Sequence, residues 1–175
     1  MTNIIIRKAT LEDSAEITNV HINSWKESYY NLIPKDYLDN LHLSFHQKYL
    51  IWKSVLIKKE QVVYVAQCPF NGIIGFISAS NGRDLDFKDH IEIRCLYLLQ
   101  KYQGQKVGFL LLQSCFNYYS ESNLKKAYLW VLKNNPSILF YKKTGAQFTG
   151  KTIEAKIANK ITLEFHYLWN DISLT

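Results

Sequence analysis

The stretch Glu92–Leu112, EIRCLYLLQKYQGQKVGFLLL, constrains this chain more than any other. An apolar strand over Ile91–Leu99 enters a polar turn, Gln100–Lys106, and the turn enters a helix over Val107–Tyr119 with an apolar face. A buried strand feeding directly into a helix must bury both against one core, which points to a mixed α and β domain. The centre of the turn is Gln103-Gly104-Gln105-Lys106-Val107-Gly108. A helix N-terminus leaves about four N–H groups unpaired and carries roughly half a positive charge. Together these suit a pyrophosphate. Glycine lets the backbone approach such an anion because no Cβ intervenes, and Lys101 and Lys106 add attraction at longer range. The P-loop and dinucleotide-fold glycine patterns are both absent. Two glycines at a helix start are common, so the segment read alone also fits an ordinary structural turn.

The flanking sequence supplies the remaining elements. Ile4-Ile5-Ile6 reads as a strand. Thr10 with Asp13 three residues later marks the start of a helix carrying Ile17, Val20, His21 and Ile22. Ser28–Pro34 reads as a loop, Tyr37–Leu41 as a short helix and Ser44–Ile57 as a longer one. Gln61–Gln67 and Ile73–Ala79 are strands joined by the Pro69-Phe70-Asn71-Gly72 turn signal, so they form a hairpin. Asn81–Asp89 is a charged loop and Ala127–Leu132 a strand. Pro136 opens a helix that stops at Gly145. Strands follow near Gln147–Ile153 and Lys160–Leu168. This order predicts one α+β domain over 1–175, with a mixed, mostly antiparallel sheet of about seven strands and helices on both faces.

Composition narrows the setting. A chain of 175 residues is about one domain and can bury a core without disulfides. Cys68, Cys95 and Cys115 are odd in number, widely spaced and without a CxxC pair, which argues against a disulfide framework or a zinc site and fits a reducing, cytoplasmic setting. His42 and His46 stand i, i+4 but lack a third ligand nearby, so no metal is expected. The Met1–Lys8 segment is too short for a signal sequence, and no apolar stretch approaches the roughly 20 residues of a membrane span. Net charge is +6, which attracts anions. The basic residues are spread as doublets rather than gathered in a tail, and no basic helix or RNA-binding aromatic motif is present, so nucleic acid is not expected as a partner.

With these residues in place, the sequence resembles the GCN5-related N-acetyltransferases, the GNAT family. Their Gln/Arg-x-x-Gly-x-Gly/Ala turn is matched by Gln103 and Gly108, with Lys106 at the position usually held by glycine. Lys106 implies either a negative φ that tolerates the side chain or a loop seated differently on the pyrophosphate. Asn134–Gly145 (NNPSILFYKKTG) is similar to the family's Asn-x-x-Ala-x-x-Phe/Leu-Tyr-x-x-x-Gly element at Asn134, Phe140, Tyr141 and Gly145, with Ser137 in place of Ala. Ile4–Ile17 resembles the family's opening strand and helix, and Ser24–Leu41 the substrate-side helices of one bacterial branch. The resemblance spans nearly the whole chain.

The resemblance implies acetyl-coenzyme A as cosubstrate and a primary amine as acceptor: a small amine, a polyamine, or a peptide or protein amine. Gln103, Gly104, Gln105, Lys106, Val107 and Gly108 would hold the pyrophosphate. Leu96, Tyr97 and Leu98 would offer backbone groups to the pantetheine arm and the acetyl carbonyl, and Asn134 would hold pantetheine by its amide. An amine of pKa about 10.4 is neutral at pH 7 at a cost of about 4.6 kcal/mol, so a base is needed. Glu92 is the candidate, with its pKa expected to rise in a half-apolar site. Alternatively Glu92 pairs with Arg94 or a lysine. Tyr141 is implied as the general acid for the leaving thiolate. Trp25, Glu27, Tyr29 and Tyr30 would shape a pocket for a cationic amine. A non-catalytic acyl-CoA sensor on the same fold is the alternative, favoured by Lys106. Dimers are frequent in the family, and strands near the C-terminus are available for pairing between subunits.

Overall fold

The computed structural model describes residues 3–173; Met1 and Thr2, which open the Met1–Lys8 segment, and Leu174 and Thr175 lie outside them. In chain order the elements are β1 (Ile5–Lys8), α1 (Ser14–Ser28), α2 (Lys35–Asp39), α3 (Phe45–Lys58), β2 (Val62–Cys68), β3 (Gly72–Asn81), β4 (Ile91–Leu98), α4 (Val107–Tyr119), β5 (Ala127–Leu132), α5 (Ile138–Lys143), β6 (Gln147–Ile157) and β7 (Lys160–Trp169). All seven strands form one sheet in the order β1-β2-β3-β4-β5-β7-β6. Every neighbouring pair is antiparallel except β4 and β5. The predicted mixed, mostly antiparallel sheet is therefore the observed one.

Alternation along the strands divides the core. On one face Val62, Ala66, Ile74, Ile77 and Ile91 pack against Val107, Leu111, Leu112, Cys115 and Phe116 of α4. On the other, Val63, Val65, Ile73 and Phe76 pack against Ile17 and Val20 of α1 and Trp52 of α3. A third cluster joins Ile22 of α1 to Ile33, Leu38, Leu41 and Leu132. A 3-10 turn, Leu11–Asp13, leads into α1 and is closed by a capping box in which the Asp13 carboxylate accepts from Thr10 N at 2.7 Å. Asp13 also takes both arms of the Arg7 guanidinium at 2.7 and 2.8 Å, which ties β1 to α1.

Two irregularities shape the centre of the sheet. Ser78 pairs with Cys95 and Ala79 with Ile93, so Arg94 is an extra residue in β4. Such a bulge exchanges the faces of the residues beyond it. Ile91 and Ile93 face α4, whereas Cys95 and Tyr97 face α1. The parallel pairing of β4 with β5 covers Ile91 and Glu92 only, opposite Ala127 and Tyr128. Beyond it the strands part, and the β5-facing edge of β4 from Ile93 to Leu98 has no strand beside it.

Candidate active site

The wedge between β4 and β5 opens toward the turn that begins α4. Gly104 and Lys106 both have positive φ, 74° and 64°. The lysine therefore takes the left-handed conformation in which glycine is usual, so of the two alternatives given for Lys106 the negative φ is not the one adopted. No side chain caps α4, so its first N–H groups are available to an anion. The Gln103 side chain donates to Leu98 O at 3.1 Å and Gln105 to Lys101 O at 3.0 Å, which brace the turn from within. A Cβ built on Gly104 would meet nothing within 4 Å, and one on Gly108 would only touch the Phe140 ring at 3.6 Å. The turn thus presents backbone N–H groups to open space. This fits a pyrophosphate-bearing cosubstrate, and the β4 edge at Leu96, Tyr97 and Leu98, which no strand covers and where only Leu98 O is taken by Gln103, fits an extended arm laid alongside it as a further strand. Asn134, at φ 69°, is exposed on the turn after β5. Its buried neighbour Asn135 acts within the fold instead. The Asn135 side chain accepts from Ser137 N at 2.9 Å and holds the entry to α5.

Glu92 is buried, yet it is not the raised-pKa base expected from its apolar strand. Arg83 forks onto it, Nη2 to Oε1 at 2.6 Å and Nε to Oε2 at 2.9 Å, and Arg94 Nε lies 3.6 Å away. Burial alone pulls its pKa up. The hydrogen bonds from Arg83 and the charges of Arg94 and Arg83 outweigh that, and the group sits below the ordinary carboxylate value. The alternative pairing with Arg94 is present, together with a partner, Arg83, that sequence reasoning missed because it lies in the loop before β4.

Glu164 on β7 has the environment expected of Glu92. It stands opposite Leu132 on β5, which packs with Trp25 and Tyr29, so it shares the α1-side face. It has no hydrogen-bond or ion-pair partner among the described residues, and burial raises its pKa. An isolated glutamate in a C-terminal strand carries no sequence signal, so reading the sequence alone passes over it.

Tyr141 is 7% exposed and packs edge-on to Trp169, ring centroids 6.0 Å apart. Burial pushes its pKa well above the ordinary phenol value, with a further push from Tyr29. It therefore stays protonated and able to donate. Tyr29 packs edge-on against Trp25 with centroids 4.8 Å apart, and burial pushes its phenol up to about 12. Trp25 Nε1–H donates to the Tyr97 hydroxyl at 2.8 Å, and the Tyr97 ring stacks on His21 at 5.1 Å. Trp25 and Tyr29 thus belong to one wall. The other two expected pocket residues do not join it. Glu27 is exposed and accepts from Gln100 N at 2.8 Å, which caps the turn after β4. Tyr30 is 62% exposed.

Cys95 is pushed up to about 12 by burial, which leaves an unreactive thiol. Among the described residues no three His, Cys, Asp or Glu side chains gather into a metal site. Among them, too, no helix is long and apolar enough to cross a membrane.

The sheet is split between two parallel strands, and an uncapped helix N-terminus stands at the mouth of the split. The family model described as the acetyltransferase (GNAT) family matches residues 22–146. The uncharacterised N-acetyltransferase YuaI of Bacillus subtilis (strain 168) is 34% identical over 139 residues, covering 79% of this chain and 77% of that protein. The PaiA N-acetyltransferase of Thermoplasma acidophilum, solved with coenzyme A, superposes with a TM-score of 0.71 at 21% identity, over 93% of this chain and 98% of that one. A chimera of the spermidine N-acetyltransferase SpeG from Vibrio cholerae with hSSAT superposes at 0.68 and 16% identity, over 95% of each. The chain belongs to the GNAT family of N-acetyltransferases.

Proposed function

We propose that the protein transfers an acetyl group from acetyl-CoA to a primary amine, by direct attack of the amine in a ternary complex. The carrying observation is the parting of β4 from β5 after Glu92, beside an α4 N-terminus that no side chain caps. When bound, acetyl-CoA supplies the activated acyl thioester. The N–H groups from Gly104 to Gly108 hold its pyrophosphate, with Lys106 adding charge; the Gln103 N–H is spent on Gln100 O at 3.0 Å and braces the turn. The β4 edge at Leu96–Leu98 aligns the pantetheine arm, and the exposed Asn134 side chain secures its far end.

The acceptor enters from the α1 side, between the Trp25–Tyr29–Tyr97 wall and β7. Glu164 takes a proton from the substrate ammonium so that the neutral amine attacks the thioester, since a carboxylate with a raised pKa is better matched to an amine than one held by two guanidiniums. Glu92 fixes Arg83 and Arg94 instead of moving a proton. The Tyr141 hydroxyl gives its proton to the departing sulfur. The buried, protonated Tyr141 favours this enzyme reading over a sensor module.

Thiol release from acetyl-CoA in the presence of a mixture of primary amines tests the proposal. Tyr141→Phe keeps the packing and removes only the hydroxyl. It should lower kcat about a hundredfold with little change in KM. Unchanged kcat would remove Tyr141 from the reaction, and no turnover of any amine by wild-type protein that binds acetyl-CoA would favour the sensor.

A further inference from the structure

A cavity of about 180 Å³ lies on the α1 side of β4, lined by His21, Lys48, Trp52, Gln61, Arg94 and Cys95. Its charged groups are cations. Lys48, on α3, is half-buried and has no ion-pair partner among the described residues. Its Nζ lies over the Trp25 ring, 5.6 Å from the centroid. The aromatic face that would receive a substrate ammonium is thus already occupied by the protein's own ammonium. Arg94 contributes a second cation. Its Nε pairs with Glu92 Oε1 at 3.6 Å, the carboxylate that the Arg83 fork also holds, so Arg94 offers the cavity its two Nη groups. Glu27 is turned away to Gln100. His21 adds no charge: its Nδ1 accepts from Trp52 Nε1 at 3.1 Å, so it is held neutral, and burial pushes it down to about 3. The result is a half-enclosed hollow with two cations, a neutral imidazole and the amide of Gln61, set against the apolar side chains of Ile51, Trp52 and Val55. A polycation entering it would meet like charge in a medium where charges are weakly screened.

We infer that the acceptor amine carries a carboxylate, which Lys48 and Arg94 hold in this cavity, so that the substrate is a small amino-acid-like molecule rather than a polyamine. The inference rests on the acetyltransferase reading above and names its acceptor. Size agrees with it: about 180 Å³ is close to the roughly 150 Å³ that encloses a single benzene, enough for the carboxylate end of a small molecule and too little for a folded peptide segment. Planar, two-pronged recognition of a carboxylate is what a guanidinium does best. Lys48, which has no ion-pair partner among the described residues, moves from the Trp25 ring onto its second oxygen.

Two measurements test this, one of them independent of turnover. In the first, ¹⁵N–¹H spectra of the protein are titrated with acetate and, separately, with ethylammonium. Acetate should shift the resonances of Gln61, Cys95 and the His21 ring in wild type and not in Lys48→Met, which keeps the stem and loses the charge. Shifts at those sites from ethylammonium, or none from acetate, would overturn the inference, whether or not the protein turns over acetyl-CoA. The second compares amino acids with their carboxamides and with spermidine as acceptors. Free acids should be favoured in kcat/KM by about tenfold or more, the size of a lost charge-assisted contact. Lys48→Met should raise KM for the acids alone, with KM for acetyl-CoA unchanged, and Lys48→Glu should favour spermidine. Amides or spermidine used as well as the acids would sink the inference and leave the acetyltransferase standing. Failure of wild type to bind acetyl-CoA would instead remove the donor reading, with the acetate titration still deciding the cavity's charge preference.

Discussion

Lys106 holds a backbone conformation that costs a non-glycine residue about 1–2 kcal/mol, at φ 64° on the threshold of α4. The family's glycine avoids that cost; this chain carries it and gains a cation at the mouth of the cleft. Lys106→Gly should therefore raise stability in thermal melts, by about 1 kcal/mol less the entropy that glycine returns to the unfolded chain, while weakening acetyl-CoA binding modestly. A fall in stability would mean that the lysine side chain makes contacts that outweigh the strain. Tyr141 is governed by burial in the opposite sense. The desolvation keeps its proton on, so at neutral pH it is present as a hydrogen-bond donor.

At the scale of elements, the pairing of β4 sets which of its residues face α1. A plain alternating strand would set Glu92 on one face with Leu96. The extra residue at Arg94 changes the faces between them and brings Cys95 and Tyr97 to the α1 side. The bulge leaves no mark in the sequence IEIRCLYL, because it arises from pairing with β3. The same holds for the Arg83 fork onto Glu92, the Glu27–Gln100 cap and Lys48 over Trp25: each joins residues from separate segments, and a spacing rule does not reach across them. What was legible is local. The hairpin turn at Pro69–Gly72, the Thr10–Asp13 box and the strand–turn–helix around Gln103–Gly108 are written in adjacent residues. The two carboxylates make the difference testable. In wild type the acidic limb of kcat/KM should lie above the ordinary glutamate range, because burial raises Glu164 and the base must be ionised to act. Glu164→Gln should abolish that limb and most of the activity. Glu92→Gln should keep the limb and lose activity mainly through disorder of Arg83 and Arg94. The reverse pattern would restore Glu92 as the base.

For the whole molecule, two histidines held neutral by their packing contribute to the loss of stability in mild acid. His21 is pushed down to about 3 and His166 to about 4, by burial first in each case. Both are depressed below the unfolded value near 6.5, so the unfolded chain binds more protons between those limits. Their contribution is intact above about pH 6.5 and is lost as pH falls toward 4 and then 3, at up to about 1.4 kcal/mol per pH unit for each group. Urea midpoints from pH 7.5 to 4.5 should show this decline, and His21→Gln should flatten part of it. A flat profile would mean that both rings are more open to water than the packing around Trp52 and Phe87 shows.

The net charge of +6 and the opening between β4 and β5 converge on one claim: the start of α4 holds the pyrophosphate of acetyl-CoA. Isothermal titration of acetyl-CoA into wild type and Gly108→Glu tests it most directly. A Cβ at Gly108 meets only ordinary contact with Phe140, and an acidic residue in the first turn stabilises a helix, so the variant should melt at or above the wild-type temperature. Its carboxylate would nevertheless stand where the phosphates must sit. The account predicts micromolar binding by wild type and none by this folded variant; equal binding by both, or none by folded wild type, would contradict it.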